Sequence, residues 1–175
     1  MTDHDGVDQV ITMAWRAQED LPFLRRCFLG AMRDSITACF GDWDEARELA
    51  KFDAQLAIQG TTVLVRNGAD VGFVMLTETP DSIQIHTICV SAEYQGHGVG
   101  TEAIHAVLAR ANRAGCNIIL SVLKSNGRAE ALYRRLGFSV VADSVHHRHL
   151  RYTGSKARVA GSGLRAVETP TIGQT

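Results

Sequence analysis

IQIHTICVSAEYQGHGVGTEAIHAVLARA, residues 83–111, changes its hydrophobic period once, and the fold turns on that change. Ile83, Ile85 and the run Ile88 to Val90 have the β-branched content of a largely buried strand. Ser91 to Tyr94 form a short polar link into Gln95-Gly96-His97-Gly98-Val99-Gly100. Beyond the glycines, Ala103, Ile104, Val107, Leu108 and Ala111 fall at helical spacing, which predicts a helix beginning near Gly98 to Thr101 with one apolar face on a sheet.

A strand, a glycine-rich turn and a helix offer either an anion cradle or a plain tight connection. The first N–H groups of a helix have no internal partner, and its dipole is positive there. Glycines let backbone amides approach a bulky phosphate without interference from Cβ. The mononucleotide phosphate loop is excluded, because no Lys-Ser or Lys-Thr pair follows the glycines. The dinucleotide fingerprint would need glycine where Thr101 stands and an acidic residue about twenty positions on, near Leu120.

The chain has 175 residues, enough for one domain with a proper core, and its 45% hydrophobic and 21% charged content is that of a soluble globular protein. A formal net charge of -1 offers no basic field, so neither nucleic acid nor an anionic membrane is expected as a partner. The polar, acidic start MTDHDGVDQV is unlike a signal peptide, and no apolar run approaches about 18 residues, so a cytoplasmic protein is expected. Cys27, Cys39, Cys89 and Cys116 are scattered without C-x-x-C spacing, which predicts reduced, mostly buried thiols.

Upstream, Val10 to Ala14 reads as a short first strand. Asp20 and Pro22 open a helix through Phe23, Leu24, Cys27, Phe28 and Ala31. A loop is expected around Ser35 to Gly41, then a second helix after Asp42, running Trp43 to Phe52. Val63 to Arg66 and Val71 to Thr77 bracket Asn67-Gly68, a strong hairpin signal, and Gly72 within the second strand indicates a bulge or close packing. Thr79-Pro80-Asp81-Ser82 turns into the Ile83 strand.

Downstream, Gly115 caps the long helix, and Asn117 to Leu123 is a buried strand, roughly parallel to the Ile83 strand because a helical crossover joins them. Lys124 to Leu136 holds a short helix closed by Gly137, and Phe138 to Ala142 and His146 to Tyr152 are the last strands. Thr153 to Thr175 shows no period and reads as a disordered tail after a single domain, residues 1–152.

Two motifs carry a family resemblance. Gln95-Gly96-His97-Gly98-Val99-Gly100 is similar to the Q/R-x-x-G-x-G/A signature of GNAT N-acetyltransferases, and Asn126, Ala129, Leu132-Tyr133 and Leu136-Gly137-Phe138 resemble that family's second signature. The likeness covers about Thr61 to Tyr152. It implies an α/β fold with a mixed, mostly antiparallel sheet of about six or seven strands flanked by helices, its middle parallel pair splayed to admit pantetheine. It also implies an acyltransferase that moves an acetyl group from acetyl-CoA to a primary amine of a small molecule or peptide, directly, in a ternary complex without metal. The resemblance leaves room for a homodimer.

Residue by residue, the resemblance makes Tyr133 the general acid at the leaving sulfur. The turn Gln95, Gly96, His97, Gly98, Val99, Gly100 and Thr101 becomes the pyrophosphate cradle. Backbone groups of Ile88, Cys89 and Val90 become the pantetheine edge, and Asn126 a cofactor ligand. Asn126 also suits a plain N-cap, and Arg128 either a phosphate contact or a solvated helix end. The strand before the glycines carries no acid, so His86, which also suits a core or strand-surface position, is the catalytic base candidate, with Glu78, Glu93 or a water as alternatives. Trp43 and Phe52 are acceptor-pocket candidates that equally suit core packing. His147 and His149 would share a strand face with His146 nearby, but no carboxylate or cysteine is spaced to complete a metal shell. Cys89 has no neighbour in sequence that would activate it as an acyl carrier. A different class, a non-catalytic acyl-CoA binding or sensing domain, is the alternative.

Overall fold

The computed structural model describes residues 11–14, 19–57 and 60–154. The expected tail from residue 155 on, and Val10 of the first strand, lie outside them. Packing continues through buried Gly154, where a Cβ would strike the carbonyl oxygen of Cys116.

Among the described residues, seven strands form one sheet in the order β1-β2-β3-β4-β5-β7-β6. They are β1 (Ile11–Ala14), β2 (Gly60–Arg66), β3 (Ala69–Glu78), β4 (Ser82–Val90), β5 (Asn117–Leu123), β6 (Ser139–Asp143) and β7 (His147–Tyr152). Every neighbouring pair is antiparallel except β4 and β5. Those two are joined by α3 (Val99–Ala114), a crossover that turns the chain back onto the sheet in the same direction. The expected mixed, mostly antiparallel architecture is what the chain adopts.

The hairpin between β2 and β3 turns at Asn67 and Gly68, with φ of 51° and 79°, the paired left-handed residues that a two-residue loop needs. Gly72 is both things its position implied. The β2–β3 register slips at Val71, and a Cβ on Gly72 would run into the carbonyl oxygen of Cys89 on β4.

The sheet separates two apolar layers. On one face α3 packs Ala103, Ile104, Val107, Leu108 and Ala111 onto β-strand residues such as Val74, Ile85, Ile118 and Leu120. On the other, α1 (Leu21–Phe40) and α2 (Glu45–Leu56) cover Val63, Phe73, Met75 and Cys89. Phe52 is 1% exposed and stacks on Phe28 with ring centroids 4.4 Å apart, a burial that contributes about 2 kcal/mol.

Two expectations need correction. Ser35 to Phe40 is helix, not loop, because Phe28, Met32, Ile36 and Phe40 continue one i,i+4 stripe and neither Gly nor Pro occurs between Ala31 and Phe40. Gly41, at φ 83°, ends α1 by donating its N–H to the Thr37 carbonyl at 2.8 Å. The second helix starts at Glu45 rather than just after Asp42, since Asp44 caps it by accepting from the Arg47 N–H at 3.0 Å. No helix among the described residues is long and apolar enough to cross a membrane.

Candidate functional site

The parallel pairing of β4 and β5 is short. It runs from Ser82 opposite Asn117 to Ile85 opposite Leu120 and then stops. Beyond that point β4 stays on β3, with Ile88, Cys89 and Val90 opposite Val74, Phe73 and Gly72. β5 stays on β7, with Ser121 to Leu123 opposite His149 to His147. The two strands thus part with unpaired backbone on their facing edges, and a cavity of about 780 Å³ opens from the notch to α1 and α2.

His86 enters this cavity through a bulge. Met75 pairs with Thr87 and Leu76 with Ile85, which leaves His86 as the extra residue on β4. A bulge re-aims one side chain at the expense of one ladder position. His86 lines the cavity, and its Nε2 lies 2.8 Å from Thr77 Oγ1. Burial holds its pKa below the ordinary 6.5, so the ring is neutral at physiological pH.

Across the notch stands α4 (Gly127–Arg135), which brings Tyr133 to the cavity wall. Its ring packs on Phe138 at 5.7 Å. Burial, and then the nearby Cys89 thiol, push the phenol up to about 12, so it keeps its proton throughout the working pH range. Asn126 caps α4, accepting from the Ala129 N–H at 3.1 Å, and also lines the cavity. The cap and the wall position are compatible.

The glycine turn lies past the end of β4, outside the cavity. After a single 3-10 turn at Ala92–Tyr94, Gln95 Nε2 donates to the Val90 carbonyl at 3.0 Å, and Gly96 and Gly98 each take φ 83°. Only glycine adopts that conformation without strain. α3 starts at Val99, with its unpartnered amides at the turn. Arg128 leans over it, since a Cβ on Gly96 would sit 3.7 Å from Arg128 Nη2. Arg128 makes no ion pair among the described residues. Positive φ glycines, a helix start and a cation make a fitting bed for a diphosphate.

Other expected residues are placed elsewhere. Cys89 turns into the α1/α2 core, and burial pushes its thiol well above the ordinary range. Trp43 packs against that same core beneath Arg33 and is not among the cavity residues, whereas Phe52 is. Glu78 is tied to Arg110 at 2.7 Å, and neither it nor Glu93 lines the cavity. The three histidines diverge: His146 Nδ1 meets Cys39 Sγ at 3.4 Å, His149 Nδ1 meets Ser121 Oγ at 2.8 Å, and His147 faces the cavity.

Glu48 is a cavity residue that was not singled out as a site residue from sequence. Glu48 on α2 is 7% exposed and lines the cavity where α1 and α2 close it. Its Oε1 accepts from Arg47 Nε and Lys51 Nζ, both at 3.0 Å. It lies four residues before Phe52, on the same helical face. A wheel drawn through Phe52 would have found it.

The sheet is split at its parallel pair, with a glycine turn past the end of β4 and the half-buried Tyr133 phenol at the notch. Comparison makes the assignment: residues 29–138 match the model of the Acetyltransferase (GNAT) family, and the chain belongs to that family. N-alpha-acetyltransferase RimI of Mycobacterium tuberculosis is 36% identical over 87 residues, 49% of this chain and 52% of that protein. Thialysine N-epsilon-acetyltransferase of Mus musculus is 32% identical over 87 residues, 49% and 51% of the two chains. The match thus spans about half the length of these curated relatives. The ribosomal-protein-S18-alanine N-acetyltransferase of Escherichia coli shares the fold, with a TM-score of 0.65 at 20% identity over 90% of this chain and all of that one. So does a GNAT acetyltransferase of Elizabethkingia anophelis with acetyl-CoA bound, with a TM-score of 0.59 at 15% identity over 83% and 99%.

Proposed function

We propose that this single-domain protein is a cytoplasmic N-acetyltransferase that moves an acetyl group from acetyl-CoA directly to a primary amine of a small molecule or a peptide. The observation that carries this reading is the convergence of His86 and Tyr133 on the one cavity that opens where β4 and β5 part. Acetyl-CoA supplies an activated thioester.

The chain's residues divide the remaining work. Backbone N–H groups at Gly96 to Thr101, with Arg128, neutralise the diphosphate, and the free edge of Ile88 to Val90 takes pantetheine as an added strand. His86, with Nε2 bonded to Thr77, takes the amine's proton on Nδ1. As the C–N bond forms and the C–S bond breaks, Tyr133 donates its hydroxyl proton to the leaving sulfur. The high pKa of Cys89 and its turn into the core support direct transfer over an acyl-cysteine intermediate. At the acceptor end Phe28, Met32, Ile36, Phe40 and Phe52 form an apolar bed beside the Glu48 carboxylate, which supports an amine with an apolar body that arrives as its ammonium, gives its first proton to solvent and attacks as the neutral amine. All four cysteines are free thiols, in keeping with a reducing compartment.

Calorimetry with acetyl-CoA, against NAD and ATP as controls, tests the cradle. Thiol release in a panel of amines and peptide N-termini tests the transfer. Selective binding followed by amine-dependent thiol release is expected. Binding without turnover across the panel would favour an acyl-CoA sensing domain, and absence of binding by folded protein would remove the reading.

A further inference from the structure

The glycine turn is held in place by a residue outside its own motif. Arg66 ends β2, and its side chain crosses to the start of α3. Nη1 donates to the carbonyl oxygen of His97 at 3.1 Å, and Nη2 to Glu102 Oε1 at 2.6 Å. One planar guanidinium therefore grips the chain on both sides of Gly98. The side chain is only 10% exposed, and its Nε has no partner among the described residues. The Asn67-Gly68 hairpin fixes the point from which Arg66 reaches out.

What this grip accomplishes follows from peptide geometry. A trans peptide directs its C=O and N–H to opposite sides, and no cis peptide occurs among the described residues. Drawing the His97 carbonyl toward Arg66 therefore aims the Gly98 N–H the other way. The contact of His97 Nδ1 with the Gln95 carbonyl, 3.1 Å, acts likewise on the Gly96 N–H. Both amides lie in residues at φ 83°, a conformation open to glycine without strain. A guanidinium does this where an ammonium cannot, because it presents two donors in a rigid fork.

We infer that Arg66 is a positioning residue for the nucleotide half of acyl-CoA: it orients the amides of the turn and does not itself contact the ligand. Glu102 partners its charge, so the guanidinium faces the turn and not the phosphates. This inference rests on the cradle reading above.

The test measures affinity for two probes by calorimetry, acetyl-CoA and S-acetylpantetheine, which lacks the diphosphate and nucleotide. Arg66→Met is expected to weaken acetyl-CoA binding about tenfold, the worth of one charge-assisted hydrogen bond, and to leave S-acetylpantetheine within about twofold. Arg66→Lys, which reaches His97 or Glu102 but not both, is expected to fall between. Unchanged acetyl-CoA affinity in Arg66→Met, or equal weakening of both probes, overturns the role. If the Met variant does not fold, Arg66→Lys decides, and acetyl-CoA affinity equal to that of the unsubstituted protein overturns it. Equal affinity of the unsubstituted protein for the two probes would sink the cradle reading itself, a result distinct from any effect of Arg66.

Discussion

Thr77 Oγ1 lies 2.8 Å from His86 Nε2, at the point where the β3–β4 ladder slips by one residue. The bulge and the hydrogen bond together hold a neutral imidazole at the cavity wall, and burial depresses its pKa from 6.5. A depressed pKa means that the base form persists to lower pH. The acid limb of kcat/KM should therefore fall below pH 6.5. In His86→Gln, kcat should drop about 10²-fold and that limb should vanish. A limb that stays in place in the variant would assign the base elsewhere.

Tyr133, raised to about 12, is a donor at every pH the enzyme would meet. Tyr133→Phe keeps the ring against Phe138 and removes only the hydroxyl. Turnover should fall about 10²-fold with acetyl-CoA affinity unchanged. The unsubstituted protein should show no alkaline loss of kcat attributable to the phenol up to about pH 10. An unaltered rate and pH profile in the variant would end the acid role.

Gly72 sits against the carbonyl of Cys89, inside the strand segment expected to hold pantetheine. A methyl group there must push backbone apart, since no flexible side chain end can yield. Gly72→Ala should cost about 2 kcal/mol and lower Tm by about 5 °C. Acetyl-CoA affinity should weaken with it, as read by calorimetry. A Tm unchanged within error would show that the two strands can separate freely.

At the acceptor end, Glu48 commits one oxygen to Arg47 and Lys51. If the carboxylate receives the acceptor's ammonium, Glu48→Gln should raise KM for the amine about tenfold, leaving acetyl-CoA affinity as it was. A proportional fall in kcat with unchanged KM would instead place Glu48 in the chemistry.

The sequence spoke clearly where local chemistry decides. Asn67-Gly68, the glycine turn, Gly115 and the α3 stripe each need one conformation, and each adopts it. The parallel β4–β5 pair was legible from its helical crossover. What escaped was set by tertiary register. Nothing around His86 marks a bulge, because the slip exists only in the pairing with β3. Trp43 and Phe52 look alike as aromatic helix-region residues, yet only the packing of α2 on α1 puts Phe52 at the cavity. A loop was expected around Ser35 to Gly41, but the Phe28-to-Phe40 stripe carries the helix through Phe40. Arg66 gave no signal at all, since its partners lie 31 and 36 residues away.

Acid stability should depend on the network that anchors α4. Glu130, 6% exposed, accepts from Arg134 Nε at 2.8 Å and from Arg148 Nη1 at 2.5 Å, tying the helix that bears Tyr133 to β7. These hydrogen bonds, Arg148 first, hold its pKa below the ordinary 4.5. Asp143 is likewise held below 3.8, chiefly by Lys124. For carboxylates depressed in the folded state, the stabilisation is whole above the unfolded-state values and drains away as pH falls through the folded ones. Tm should therefore be flat from pH 7 to about 5 and decline steeply below the ordinary 4.5. Glu130→Gln should start from a lower Tm at pH 7 and lose less on acidification, because it has no proton left to take up. Parallel Tm curves for the two proteins would show that the Arg148–Glu130 pair does not couple protonation to the docking of α4.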